Sequence, residues 1–573
     1  MKDFSTLIGG IAGDGINEAG LTASRLLSRL GCSIYMYYDY PSLIRGGHNF
    51  SLIRACRRKV LAHTDAVDVL IALNQETVEK HQHRLKESSF VIYDADKVRP
   101  EGLAGRGCGL AVSSILKEAG ASAIMKNSCI LGGYCKAVGI GWPVLEKILR
   151  KHMQKKLELN LLVARQGFEQ AEGFCRIEDL FSSGPGSGPG TSEASRPPRP
   201  LLTGNQAMAL GLIRAGLGAY VAYPMTPSSS ILDFMARYAE DFGLKVVHPE
   251  SEIAVMLMAL GFAYAGVKAA VGTSGGGFCL MTEDLSLAGM AELPVVVVMA
   301  QRAGPSTGLP TYTAQGDLHF VLHAGQGEFP RLVVAPGDAE EAYIWAERAV
   351  NLAWKYQIPA IILSDKTLSE SLYSFDGDLA GKAKEEPIEE PMMLWDGNGI
   401  YRRYLQTESG LSPLAFPPLK GQAIKTDSYM HDQQGITSED PGITREMSEK
   451  RRRKGQSLAR EMEEYETVKV YGQKSSKTAL LFWCSNKGVC VEAAERLGLR
   501  AVQVLALSPF PESRLLEALQ GVERLLAVEC NSTGQLADMA QCRGIKVDDR
   551  ILKYDGRPFS REDLLLSLGG AGI

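Results

Sequence analysis

Apolar positions return along this chain in two rhythms. Some form short runs bounded by glycine or proline, and others recur every three or four residues over longer stretches. Near the start, an apolar run at Thr6–Ile8 passes through Gly9, Gly10, Gly13 and Gly15 into a helical pattern over Ile16–Arg29 and a second run at Ser33–Tyr38. That order predicts a β-α-β opening. From Leu201 to about Phe375 the repeat is more regular. Helical stretches over Gln206–Ala215, Ser229–Ala239 and Glu252–Tyr264 alternate with apolar runs at Tyr220–Tyr223, Val246–His248, Ala269–Gly272 and Val295–Met299. This alternation predicts a parallel, doubly wound sheet.

The pattern is broken once outright. The segment 182–200, SSGPGSGPGTSEASRPPRP, has too few apolar side chains to bury a core and reads as a flexible linker. A softer break covers 376–467, where strand-like runs are scarce and charges around Glu449–Glu464 alternate in sign at helical spacing. The run KRRRK at Lys450–Lys454 lies there, and its acidic neighbours make it a solvated helix face rather than a nucleic-acid or targeting signal. A chain of 573 residues exceeds one ordinary core. The reading is therefore a multidomain α/β protein divided into 1–181, 182–200, 201–375, 376–467 and 468–573.

Charge narrows the partners. With 62 basic and 66 acidic residues and a net charge of −4, neither nucleic acid nor an anionic membrane surface is indicated. The most apolar run, Leu293–Ala300, is far shorter than a membrane span, and the first residues do not read as a secretion signal, so a cytoplasmic protein is expected. The 11 cysteines contain no CxxC spacing. No metal framework is visible, and an iron–sulfur cluster, which wants four thiolates at short spacings, is not expected on this chain.

Candidate chemistry gathers just after the predicted strands, where open α/β sheets bind ligands. Tyr223-Pro224-Met225-Thr226-Pro227-Ser228-Ser229 is a proline-fixed loop whose hydroxyls can cap the following helix. Glu252 heads the almost wholly apolar stretch IAVMLMALGFAYAG, and so is either a helix-dipole partner or a proton donor and acceptor in apolar surroundings. Ser274-Gly275-Gly276-Gly277 is a turn into a helix that would suit an anion. The loop Gln301–Thr311 carries Arg302, whose fork suits a carboxylate. In the first block the glycines follow GxxGxG rather than the dinucleotide spacing GxGxxG, so anion binding and close helix–strand packing stand level there. Gly13-Asp14-Gly15 lacks an asparagine at the distance a thiamine diphosphate–magnesium motif needs, and that reading is rejected. Tyr40–Asn49 is a polar loop, with Arg45 and His48 as candidate anion ligands.

Taken in order, YPMTPSS, ESEIAVMLMALGFAYAG, TSGGGF and QRAGPSTGLPTYTAQGDL resemble the pyrimidine domain of 2-oxoacid:ferredoxin oxidoreductases. GGIAGDG and YPSLIRGGHN resemble the gamma domain of that family, and TESGLSPLAFPP, HDQQGITSEDPG, ECNSTGQLADM and GRPF resemble its remaining segments. The resemblance implies a fused gamma–alpha subunit with a gamma-type Rossmann-like domain, a pyrimidine-binding doubly wound domain and a transketolase C-terminal-like α/β domain. It implies that Glu252 bonds the thiamine aminopyrimidine, with Tyr223, Pro224, Ser274 and Gly275 also at the cofactor. Thr226, Arg302 and Thr311 would hold the 2-oxoacid, and Arg45 or His48 a second carboxylate. Coenzyme A would be a substrate and ferredoxin the electron acceptor. Magnesium, the diphosphate motif and a [4Fe-4S] cluster would lie on a beta subunit in an (alpha–beta)2 assembly. The pattern as a whole most resembles the 2-oxoglutarate enzymes, which form succinyl-CoA and carbon dioxide or run in reverse as reductive carboxylation. Pyruvate and branched 2-oxoacids are alternatives, as are a nicotinamide dehydrogenase and a non-catalytic assembly subunit. The loops GIAGDG and TSGGGF depart from the GQG and TSGPGF of many relatives.

Overall fold

The computed structural model describes residues 3–43, 46–99, 106–153, 155–177, 198–382 and 392–573. The chain forms two compact units. The first comprises residues 1–202, 371–377 and 560–566, and the second 203–370, 378–559 and 567–573.

The first unit is built on β1 (Phe4–Ile11), which pairs antiparallel with β3 (His48–Cys56) and parallel with β4 (Val67–Ala72). Beyond β3 lies β2 (Ser33–Asp39), and beyond β4 lie β5 (Leu85–Asp94) and β6 (Arg106–Leu110). With β14 (Leu372–Ser374) and β7 (Leu201–Thr203) the sheet order is β6-β5-β4-β1-β3-β2-β14-β7. The helix Ile16–Arg29 has the predicted bounds, and it buries Ile16, Ala19, Ala23, Leu26 and Leu27 on one face. The expected β-α-β opening is present with an insertion, because β3 runs antiparallel between β1 and β2. Periodicity reports which residues are buried, not which strand is the neighbour.

The glycine loop of this unit turns on Gly13 (φ 94°) and Gly15 (φ 70°), left-handed positions that favour glycine. Its interior is filled by the chain itself. Lys126 pairs with the Asp14 carboxylate, and Asn127 Nδ2 donates to the carbonyls of Asp14 (2.6 Å) and Gly15 (3.2 Å). Of the two readings that stood level for this loop, the contacts favour close packing.

The second unit contains the expected parallel sheet, in the order β18-β12-β13-β11-β10-β8-β9. Its strands are β8 (Ala219–Ala222), β9 (Lys245–Val247), β10 (Ala269–Thr273), β11 (Val295–Gln301), β12 (Leu332–Val334) and β13 (Pro359–Asp365), with β18 (Ala506–Ser508) antiparallel at the edge. β11 is buried along its whole length, as befits a central parallel strand with both faces covered. A smaller sheet follows, β15-β17-β16-β19-β20, made of β15 (Val468–Gly472), β16 (Thr478–Phe482), β17 (Arg500–Val504), β19 (Arg524–Glu529) and β20 (Asp549–Leu552). Gln315 fastens the two sheets together. Its side chain accepts from Asn486 Nδ2 (3.0 Å) and the Cys530 amide (2.9 Å) and donates to Asp365 Oδ2 and the Trp483 carbonyl, each at 3.2 Å. The ECNSTGQLADM segment supplies part of this clasp, because Glu529 accepts from Trp483 Nε1, Asn531 Nδ2 and the amides of Leu536 and Ala537.

The basic run at Lys450–Lys454 corrects its reading as a solvated face. It lies in the helix Pro441–Met462, where Lys450, Arg451 and Lys454 are buried and only Arg452 is fully exposed. Lys450 and Lys454 close on one buried carboxylate, Glu292, with Lys450 Nζ at 2.7 and 2.9 Å from its two oxygens. Burial alone would push the Glu292 carboxyl up, but the two ammonium groups more than offset this and hold it far below the usual range. Sequence shows alternating charge and cannot show that a distant glutamate awaits those cations. Among the described residues, no helix is long and apolar enough to cross a membrane.

Candidate active site

The loops that leave the carboxyl ends of β8, β10 and β11 and the loop that follows β9 converge on one glycine turn in the second unit. Gly275, Gly276 and Gly277 open the short helix Gly275–Leu280 after β10, and each touches a different segment. A Cβ on Gly277 would lie 2.6 Å from Glu252 Oε1 and 2.3 Å from Thr273 Oγ1. On Gly276 it would lie 3.8 Å from Met225 Cε and 4.0 Å from the Ser306 carbonyl oxygen. On Gly275 it would meet Asp317 Oδ2 at 2.8 Å. A side chain at 275 would have to displace the Asp317 carboxylate and one at 277 the side chains of Glu252 and Thr273, whereas at 276 it would make only ordinary contact.

Glu252 begins the helix Glu252–Tyr264 behind Ser251, whose hydroxyl caps the Ala254 amide loosely at 3.5 Å. It is only 5% exposed, yet its carboxylate makes no hydrogen bond or ion pair among the described residues. An unpartnered carboxylate on a mostly buried residue is left free to bond a ligand. Ser274 Oγ, Thr311 Oγ1, Thr313 Oγ1 and Arg302 Nε are likewise buried without hydrogen-bond partners among the described residues. Buried hydroxyl and guanidinium groups nearly always find partners, so these groups on the converging loops are left available to a ligand.

Arg302 follows the last residue of β11, and its Nη1 donates to the Thr226 carbonyl at 3.0 Å. The structure thus brings Thr226 and Arg302 together. The loop beyond them folds back so that the Ala303 amide donates to the Tyr312 carbonyl (3.1 Å), setting Thr311 and Thr313 on either side of that pairing. Tyr223 and Pro224 are exposed at the end of β8, and the Tyr223 ring meets His248 edge-on at 6.0 Å. Burial lowers the Arg302 guanidinium pKa, opposed by Asp317. Burial pushes the Asp317 carboxyl up to about 6, opposed by Arg302.

Two further residues of the sequence expectation belong to the first block of the sequence. Arg45 is outside the described residues. His48 is in the first unit at the start of β3, with its Nε2 2.8 Å from His81 Nε2. Burial lowers the pKa of both rings, that of His81 to about 2. Both shifts favour the neutral imidazole near pH 7, which works against His48 as a cation. Sequence reasoning named Gly277 only as part of an anion-suited turn and missed that it makes room for Glu252, and it missed Asp317, which stood inside the motif GDL. The only available signal was the GGG run itself, because a glycine's neighbours cannot be read from its position. A cavity of ≈ 980 Å³, lined by Leu287, Met290, Phe329, Arg331, Arg451 and Leu458 among others, shares no residue with this site.

Comparison with known proteins places the site in a class. Residues 210–449 match the family model "pyruvate flavodoxin/ferredoxin oxidoreductase, thiamine diP-bdg", and residues 5–170 match "pyruvate ferredoxin/flavodoxin oxidoreductase". The first match contains every one of the converging loops. At full length, the alpha subunit of 2-oxoacid:ferredoxin oxidoreductase 2 from Aeropyrum pernix is 32% identical over 97% of this chain and 96% of its own. The corresponding alpha subunit of a Sulfolobus species is 31% identical over 98% and 96%. Among solved structures, 2-oxoglutarate:ferredoxin oxidoreductase from Magnetococcus marinus, with 2-oxoglutarate, coenzyme A and succinyl-CoA bound, superimposes with a TM-score of 0.86 at 28% identity, over 100% of this chain and 99% of that one. The chain belongs to the 2-oxoacid:ferredoxin oxidoreductase family, whose members are oxidoreductases, and its α/β multidomain fold is the one the sequence led us to expect.

Proposed function

We propose that this chain is the alpha subunit of a 2-oxoacid:ferredoxin oxidoreductase that oxidatively decarboxylates 2-oxoglutarate to succinyl-CoA and carbon dioxide, passing the electrons to ferredoxin and also able to run as reductive carboxylation. The observation that carries the reading is Glu252, a buried and unpartnered carboxylate on the glycine turn where the four loops meet. The choice of 2-oxoglutarate among 2-oxoacids draws support from the full-length likeness to the Magnetococcus marinus enzyme.

The residues present suit thiamine diphosphate. Gly277 leaves the space a methyl group would fill beside Glu252, and Ser274 Oγ is an unspent hydroxyl next to the turn. When bound, thiamine diphosphate supplies the carbon nucleophile and the electron sink that decarboxylation requires. Glu252 would offer its unpartnered carboxylate to the aminopyrimidine ring as a hydrogen-bond partner and proton relay. Tyr223, Pro224 and Gly275 would help to hold the cofactor there. Arg302, fixed at Nη1 by the Thr226 carbonyl, presents its remaining donors to the 2-oxoacid carboxylate, with Thr226 and Thr311 beside it. Coenzyme A then takes the acyl group.

Magnesium, the diphosphate contacts and a [4Fe-4S] cluster are assigned to a beta subunit in an (alpha–beta)2 assembly. The helix that carries Glu252 supports this division. Ile253, Leu257 and Met258 leave an apolar face on it, each more than 40% exposed, and Leu280 adds to it from the glycine-turn helix. Such a face beside an incomplete site is suited to a partner chain. Glu252→Gln in the assembled complex is expected to lower 2-oxoacid-dependent acceptor reduction roughly a hundredfold or more. Near-full turnover by that variant would remove the reading and favour a non-catalytic assembly role.

A further inference from the structure

Among the described residues, Asp317 is the carboxylate whose charge acts on Arg302 and that the proposed chemistry does not use, and its setting is unusual. It stands in the N-cap position of the helix Leu318–His323, but its side chain does not cap that helix. Its backbone amide is anchored instead, donating at 3.0 Å to Gln301 Oε1. Gln301 is wholly buried, and its Nε2 is held by the Ser364 carbonyl at 3.1 Å. The residue is thus pinned to the one that immediately precedes Arg302. Its carboxylate rests on the glycine turn, with Oδ2 and Oδ1 2.8 and 3.2 Å from where a Gly275 Cβ would be. Only glycine at 275 admits a charge there. Among the described residues this carboxylate makes no hydrogen bond and no ion pair, although the Arg302 guanidinium is within electrostatic reach.

We propose that Asp317 is a positioning residue that weakens the hold of Arg302 on an anion, so that a 2-oxoacid carboxylate is bound loosely enough for turnover. The inference rests on the reading of Arg302 as the carboxylate site. Arg302 does not need Asp317 for its orientation, because the Thr226 carbonyl fixes it. What a nearby, unpaired carboxylate adds is charge of the same sign as the substrate, in a partly buried place where screening is weak. Binding energy held back from the ground state in this way raises KM without lowering kcat/KM through the transition state when the carboxylate is leaving as carbon dioxide.

The test is Asp317→Asn in the assembled complex, with Arg302→Lys as a control on the underlying reading. Asp317→Asn is expected to lower the KM for 2-oxoacid about three- to tenfold, and to tighten calorimetric binding of the non-reacting analogue N-oxalylglycine by a similar factor. Gly275→Ala, whose methyl displaces the same carboxylate, is expected to shift affinity in the same direction. Unchanged or weakened binding in an Asp317→Asn complex with wild-type melting temperature overturns the proposal, and if that variant does not assemble, unchanged or weakened binding in Gly275→Ala does so. If Arg302→Lys leaves both KM and analogue binding unaltered, the carboxylate site itself has been misplaced and the inference falls with it.

Discussion

Glu252 owes its place to an absence elsewhere. The apolar stretch behind it was plain in the sequence, and so was its position at the head of a helix, but the space it occupies is provided by Gly277, 25 residues further along and on another element. Gly277→Ala would put a methyl 2.6 Å from Glu252 Oε1 and 2.3 Å from Thr273 Oγ1. We expect the carboxylate to move and turnover of the assembled complex to fall by up to about a hundredfold, at an overpacking cost of about 1–3 kcal/mol. Steady-state kinetics beside a melting curve check this. Full activity in a folded variant would show that the contact is slack. Arg302 and Thr226 were similarly legible as candidates, since a lone arginine and a proline-fixed loop follow strand ends. That the guanidinium leans on the Thr226 carbonyl rather than on its hydroxyl was not, because loop conformation is not encoded in residue type.

At the scale of elements, periodicity read the parallel sheet well, because each strand and helix buries residues at its own spacing. It failed where burial is ionic. In the helix Pro441–Met462 the spacing of Lys450 and Lys454 is that of a buried stripe, yet lysine is read as solvent-facing by default. One carboxylate, Glu292, can neutralise only one of the two ammonium groups. Burial pushes the Lys454 ammonium down to about 7, against the opposing pull of Glu292. The unfolded chain keeps that proton up to the ordinary lysine range, so between about pH 7 and 10 it binds more protons than the fold does. Stability therefore gains from this residue as pH rises through that window, and the gain is absent below it. Denaturant unfolding at pH 7 and 8.5 should show wild type gaining on Lys454→Met by about 1–2 kcal/mol. Equal slopes in the two proteins would mean that Lys454 stays charged throughout. The strand β14 shows another limit, since residues 372–374 join a sheet otherwise made mostly from the first part of the chain. Nothing local marks that pairing.

For the whole molecule, the family was legible because many short motifs occur in one order, and the full-length relatives carry the same family name. Which 2-oxoacid is used was less so. The residues that would meet a second carboxylate are not marked by charge alone, as His48 shows by bonding to His81 where burial favours its neutral form. The central claim is that this chain holds half of a thiamine-dependent site and is silent without the other half. It is tested most directly by following reduction of a viologen acceptor with thiamine diphosphate, magnesium, coenzyme A and a panel of 2-oxoacids, using this chain alone and co-expressed with a candidate beta subunit. The account predicts no reduction by the chain alone and reduction by the pair, fastest with 2-oxoglutarate; reduction by the chain alone, or none by a correctly assembled pair with any 2-oxoacid, would contradict it.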